Sequence, residues 1–233
     1  MRSAMRSLIL LVFAACLSPL HVHAAHAEPE RVSLALILAI DTSASVDVRR
    51  YELQRRGYAA ALRAPSVAEA IQSLGRPAVI TIVQWAAPVE QEQAIGWKLI
   101  ESRADLHALA DEVEQMPRMY AGNYTAIGEA LDFCAALFDT MPFTAVRRII
   151  DISGDGTDDG QVVAGNARDR AVKRGITING LPILREEPME VEVVHHYQHH
   201  VIGGYKAFFV VAKSDEDFPR AILRKLETEI AAR

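Results

Sequence analysis

Seven consecutive apolar residues, Leu34-Ala35-Leu36-Ile37-Leu38-Ala39-Ile40, run without a break into Asp41-Thr42-Ser43-Ala44-Ser45. A strand with one wet face alternates apolar and polar side chains, whereas a strand that is apolar at every position has to be covered on both faces. The segment therefore reads as a central parallel strand that stops at a polar loop. A chain built around it must supply helices to both sides of a sheet.

The rest of the sequence supplies them. Residues 46–63 are rich in helix formers, with Ser45 a suitable N-cap, and the helix stops before Pro65. Gly75-Arg76-Pro77 turns the chain into a strand from Ala78 to Trp85, and Val89 to Trp97 reads as a short hairpin partner. Helical periodicity follows over 103–115 and 125–138, then a strand over 148–152, a helix over 160–173 and a strand over 176–181 after Gly175. Tyr205 to Val211 is a further expected strand, and Ile222, Leu223, Leu226 and Ile230 form the apolar face of a last helix. No repeat or linker divides residues 28–233, which predicts one α/β domain with a doubly wound, mostly parallel sheet and helices on both faces.

The first 27 residues have a different character. Arg2 and Arg6 precede ten apolar residues, Leu8 to Leu17, and then the small-residue series Ala24-Ala25-His26-Ala27. Ten helical residues span about 15 Å, half of a bilayer's hydrocarbon core, so the layout is that of a cleaved secretory signal peptide over residues 1–27 and not of a permanent membrane anchor. The expected location is periplasmic or secreted. Cys16 offers the alternative of a lipoprotein cysteine, although Phe13 stands where Leu is usual. Removing the leader leaves Cys134 as the one cysteine, at apolar spacing with Ile127, Leu131 and Phe138, which predicts a buried, inert thiol and no internal disulfide. A formal charge of -5, which becomes more negative without Arg2 and Arg6, excludes the basic face that nucleic-acid binding requires.

In open α/β sheets, ligands bind where loops leave the carboxyl ends of strands. Three such loops here carry side-chain oxygens: Asp41 to Ser45, Gly122-Asn123-Tyr124-Thr125, and Ser153-Gly154-Asp155-Gly156. With the DxSxS pattern at Asp41, Ser43 and Ser45, a Thr at Thr125 and an Asp at Asp155, the sequence resembles a von Willebrand factor type A domain with its metal-ion-dependent adhesion site. The strings "IDISGDGTDDG", "GITINGLPI" and "VIGGYKAFF" are similar to a bacterial exported branch catalogued as domain of unknown function 1194. Thr157-Asp158-Asp159 departs from the resembled pattern, where Pro-Asn-Asn or similar is expected.

Hydroxyl and carboxylate oxygens are hard ligands suited to Mg²⁺, or to Mn²⁺ or Ca²⁺, and not to thiophilic metals. The resemblance implies that Ser43, Ser45 and Thr125 reach the ion directly while Asp41 and Asp155 act largely through water. It also implies a coordination position left for an Asp or Glu of a protein partner. The residues alone leave a plainer possibility open, in which Asp41 and Ser45 cap the 46–63 helix and Thr125 caps its own. Asp158 and Asp159 either enlarge the acidic site or start the following helix.

Two further features stand apart. In His195-His196-Tyr197-Gln198-His199-His200, helical spacing pairs His195 with His199 and His196 with His200, which could chelate Zn²⁺ or Cu²⁺ or simply form a solvated face. A periplasmic transition-metal-binding protein is thus the alternative to a protein-binding module. "ILAIDTSAS" is also similar to the first strand of actin-like ATPases, but no glycine follows until Gly57. No G-x-S-x-G elbow or HExxH pattern supports a hydrolase, and the expectation is a non-enzyme.

Overall fold

Side chains of β1 (Glu30–Asp41) alternate between two separate cores. Leu34, Leu36, Leu38 and Ile40 enter one, and Ala35, Ile37 and Ala39 the other, every one buried. This is why the strand is apolar at each position. The first core is closed by α1 (Val48–Leu62), α2 (Pro65–Gln72), α3 (Arg103–Gln115) and α7 (Phe218–Ala231), through Tyr58, Val67, Leu109 and Ile222 among others. The second is closed by α4 (Ile127–Thr140), α5 (Ala164–Lys173) and α6 (Glu190–His196), through Leu131, Ala167 and Val193.

This computed structural model describes residues 29–185 and 190–232; the expected leader, residues 1–27 with Cys16, lies outside the described residues. The remaining strands are β2 (Ala78–Trp85), β3 (Gln91–Ile100), β4 (Phe143–Gly154) and β5 (Ile176–Pro182), in the sheet order β3-β2-β1-β4-β5. β1 pairs in parallel with β2 and β4, β4 with β5, and β3 is antiparallel to β2 as the expected hairpin partner. The fold is the doubly wound α/β arrangement that the sequence implies. Cys134 is buried in the second core without a disulfide, and burial pushes its thiol pKa up.

Several local expectations change. The N-cap of α1 is Asp47, whose carboxylate accepts the Arg50 N–H at 2.8 Å, and not Ser45. Helix α2 occupies the stretch between the end of the first helix and the Gly75 turn, where the sequence pattern assigns no element, with Pro65 at its first turn, a position where the missing N–H costs nothing. Helix α5 starts at Ala164, four residues later than expected from 160. Residues 205–211 form only one isolated bridge, Phe209 to Gly180, beside β5, and Gly204 (φ 97°) and Lys206 (φ 54°) adopt left-handed backbone that interrupts extension at its start. The segment still covers the outer edge of β5: the Gly180 N–H donates to Phe208 O at 3.1 Å and the Val210 N–H to Gly180 O at 3.0 Å.

Candidate functional site

Parallel register brings the carboxyl ends of four strands, β1, β2, β4 and β5, level. Asp41 pairs with Trp85, Ile40 with Ser153, and Gly154 with Pro182. From β1 the chain goes to β2 on one side and later to β4 on the other, so the loops after β1 and β4 leave the sheet at its topological switch point.

The loop after β1 is held by its own backbone and by its neighbours. Asp41 Oδ1 accepts the Ser43 N–H at 2.8 Å, and the Thr42 N–H and hydroxyl both donate to Trp85 O. The Arg118 Nη2 donates to Thr42 O and Ser43 O, each at 2.8 Å, while the Ala44 N–H donates to Gly122 O at 2.8 Å. These contacts turn the loop's hydroxyls toward β4. Ser43 Oγ lies 3.1 Å from Ser45 Oγ, and Ser45 Oγ donates to Asp155 Oδ1 at 2.5 Å. The other oxygen of Asp155 faces Arg50 Nη1 at 3.3 Å and Arg185 Nε at 3.5 Å.

Four of the five expected residues, Asp41, Ser43, Ser45 and Asp155, thus form one connected group. Thr125 packs against Gly156, the residue after Asp155, where a β-carbon would lie 3.1 Å from Thr125 Oγ1. The capping alternative does not describe these residues: the Ser45 hydroxyl is engaged by Asp155, and the N-cap of α4 is Ala126 with no side-chain cap. Asp158 and Asp159, in contrast, do organise helix starts. Asp158 accepts from the Gly128 N–H at 3.3 Å and the Ala164 N–H at 2.8 Å, and Asp159 from the Thr125 N–H at 2.5 Å.

Electrostatically, the group is short of positive charge at its deepest point. Asp41 is fully buried, and its Oδ2 has no hydrogen-bond partner. Burial, and then the neighbouring charge of Asp155, push its pKa up to about 7. A β-carbon on Gly154 would sit 2.9 Å from this oxygen and 2.8 Å from the Tyr197 hydroxyl, another buried and unpartnered oxygen, so the glycine is what lets both approach. Among the described residues no group of three or more His, Cys, Asp and Glu side chains is placed to hold an ion. A site here would have to rest on two carboxylates and hydroxyls. Arg118, Arg185 and Tyr197 have no spacing signal, because each reaches the site from a distant stretch of chain, and Arg50, although only five residues after Ser45, meets Asp155 across 105 positions.

A family model described as Protein of unknown function (DUF1194) matches residues 31–233. The chain belongs to the DUF1194 family. No curated protein is significantly similar to it in sequence. Solved structures are similar in fold to this DUF1194 chain. Proximal thread matrix protein 1 from the mussel byssus, with a zinc occupied MIDAS motif, aligns at TM-score 0.58 and 15% identity over 85% of this chain and 46% of its own. The pilus adhesin SpaC from Lactobacillus rhamnosus GG aligns at TM-score 0.59 and 14% identity over 86% of this chain and 31% of its own. The DUF1194 chain therefore spans less than half the length of either. The vWF domain of the type V pili tip protein Mfa5 from Porphyromonas gingivalis is matched over 96% of its length, at TM-score 0.57 and 11% identity. The fold of the DUF1194 chain is thus that of von Willebrand factor type A domains.

Proposed function

We propose that this protein is an exported, non-enzymatic protein-binding module that acts through a divalent-cation site formed by Asp41, Ser43, Ser45, Thr125 and Asp155. The observation that carries the reading is the buried, unpartnered Asp41 Oδ2 at the head of a hydroxyl chain ending on Asp155. A buried carboxylate oxygen without a donor is costly, and a hard cation with its waters is a partner that the surrounding oxygens suit. When bound, Mg²⁺ or a similar ion would supply an electrophilic position for an Asp or Glu of the partner. The chain's own residues do the rest. Arg118 holds the Thr42 and Ser43 carbonyls so that the loop's hydroxyls face Asp155, and Asp159 holds the Thr125 amide.

The MIDAS motif named for the mussel protein and the adhesins of shared fold support an adhesive role. The signal-like residues 1–27 support export to the periplasm or beyond. Among the described residues no helix is long and apolar enough to cross a membrane. The test is calorimetric titration of the protein with Mg²⁺ and Mn²⁺ beside its Asp41→Asn variant, which keeps an oxygen for the Ser43 N–H. Loss of ion binding in the variant is expected; undiminished binding sinks the site. A pull-down from an envelope extract with Mg²⁺ and with EDTA then identifies partners that depend on the ion.

A further inference from the structure

The four histidines of 195–200 lie outside the oxygen-rich site. His195 and His196 close α6, and His199 and His200 sit on the π-helical turn Tyr197–Val201 that follows it. That turn is set by the Ile202 N–H, which donates to Tyr197 O, five residues back, at 3.0 Å. Tyr197 and Val201 are fully buried in the second core and fix its position. The imidazoles are therefore held next to one another on this anchored turn, with ring centroids 4.3 Å apart and planes tilted 45° for His195 and His199, and 5.2 Å apart and tilted 36° for His196 and His200.

The two pairs differ in what else they touch. His196 is half-buried, and its Nε2 accepts the Asp158 N–H at 3.2 Å, which commits that nitrogen to the loop between β4 and α5. His195 and His199 are both exposed, and among the described residues neither imidazole has a hydrogen-bond or ion-pair partner. Two neutral imidazoles one helical turn apart are a chelating pair, and imidazole prefers Cu²⁺, Ni²⁺ and Zn²⁺ where the Asp41 site offers only hard oxygens. Each ring needs only rotation about its own side-chain bonds to aim a nitrogen at a shared ion.

The geometry points to a transition-metal site at His195 and His199, separate from the divalent-cation site and open to solvent. No third His, Cys, Asp or Glu joins the pair among the described residues, so water fills the other positions. Such a site exchanges its ion readily. By the general order of divalent affinities Cu²⁺ binds tightest, ahead of Zn²⁺.

Calorimetric titration with Cu²⁺ and with Zn²⁺, on protein exported from an expression host with its own leader, tests this directly. Replacing His195 and His199 together by Ala, both exposed, is expected to weaken Cu²⁺ binding by more than about tenfold. The double replacement of His196 and His200 is expected to leave it within about twofold. Mg²⁺ binding by the His195/His199 variant is expected to match the parent, which separates failure of this site from failure of the adhesion site. Electron paramagnetic resonance of the Cu²⁺ complex should report two nitrogen ligands. Full binding by the His195/His199 variant, loss that instead follows His196/His200, or one ion shared between two chains in sedimentation would each overturn the assignment.

Discussion

Ser45 Oγ donates to Asp155 Oδ1 at 2.5 Å although the two residues are 110 positions apart in the chain. This bond closes the loop after β1 onto the loop after β4 and sets the distance between the two acidic halves of the candidate site. A hydrogen bond to a carboxylate contributes about 1.5–3 kcal/mol when buried, and less where water can replace it. Ser45 is half-buried, so Ser45→Ala is expected to cost about 1–2 kcal/mol in EDTA, read from urea unfolding. It should also weaken Mg²⁺ binding, because a hydroxyl ligand goes with it. A variant that binds Mg²⁺ as well as the parent would remove Ser45 from the site.

Arg50 is the residue most at odds with a cation site. Its guanidinium stands 3.3 Å from Asp155 Oδ2 and 3.4 Å from Asp215 Oδ2. A fixed positive charge beside a bound cation repels it, by roughly 1 kcal/mol where water screens the pair. Arg50→Gln should therefore bind Mg²⁺ severalfold more tightly than the parent at low salt, with the gain shrinking as salt is added. Weaker binding in the variant would mean that Arg50 instead holds Asp155 in place for the ion.

Gly154 is required by what lies across from it. A β-carbon there would be 2.8 Å from the Tyr197 hydroxyl and 2.9 Å from Asp41 Oδ2, both buried. Gly154→Ala is expected to destabilise by about 1–3 kcal/mol, the usual cost of overfilling a packed site. Gly96→Ala is the control, since a β-carbon there meets nothing within 4 Å. A thermal melt of both variants checks the contrast, and equal shifts would count against crowding at Gly154.

The central strand was legible because burial on both faces leaves only apolar residues at Leu34 to Ile40. The same rule failed at residues 205–211. They are apolar enough for a strand, but Gly204 and Lys206 turn out of extended backbone and the segment settles for a single bridge. Helix α2 was hidden by Pro65, which ends one helix and begins the next. Asp41, Ser43, Ser45, Thr125 and Asp155 could be named from loop position and from the resemblance to adhesion domains. Their convergence depends on β1 lying between β2 and β4, which no local pattern encodes. Arg50, Arg118 and Tyr197 join only through tertiary contacts.

Beneath the sheet, Lys225 of α7 lies 2.5 Å from both Asp151 Oδ1 and Glu229 Oε1, and all three side chains are fully buried. One ammonium serves two carboxylates. Removing it would leave uncompensated buried charge, so Lys225→Met is expected to cost about 3–5 kcal/mol. Burial, and then the charge of Asp151, push the pKa of Glu229 up to about 8. In the unfolded chain the group returns to the ordinary glutamate value of 4.5. Between these values the folded state binds more protons than the unfolded state, so stability falls as pH rises. The contribution is fully present below 4.5 and is lost as pH passes through about 8. Asn179 Nδ2 donates to Glu229 Oε1 at 2.9 Å, and an amide at this position retains an oxygen for that bond. Glu229→Gln should accordingly flatten the decline of unfolding free energy between about pH 5 and 8, measured by urea titration across that range. A decline as steep in the variant as in the parent would assign the pH dependence to another group.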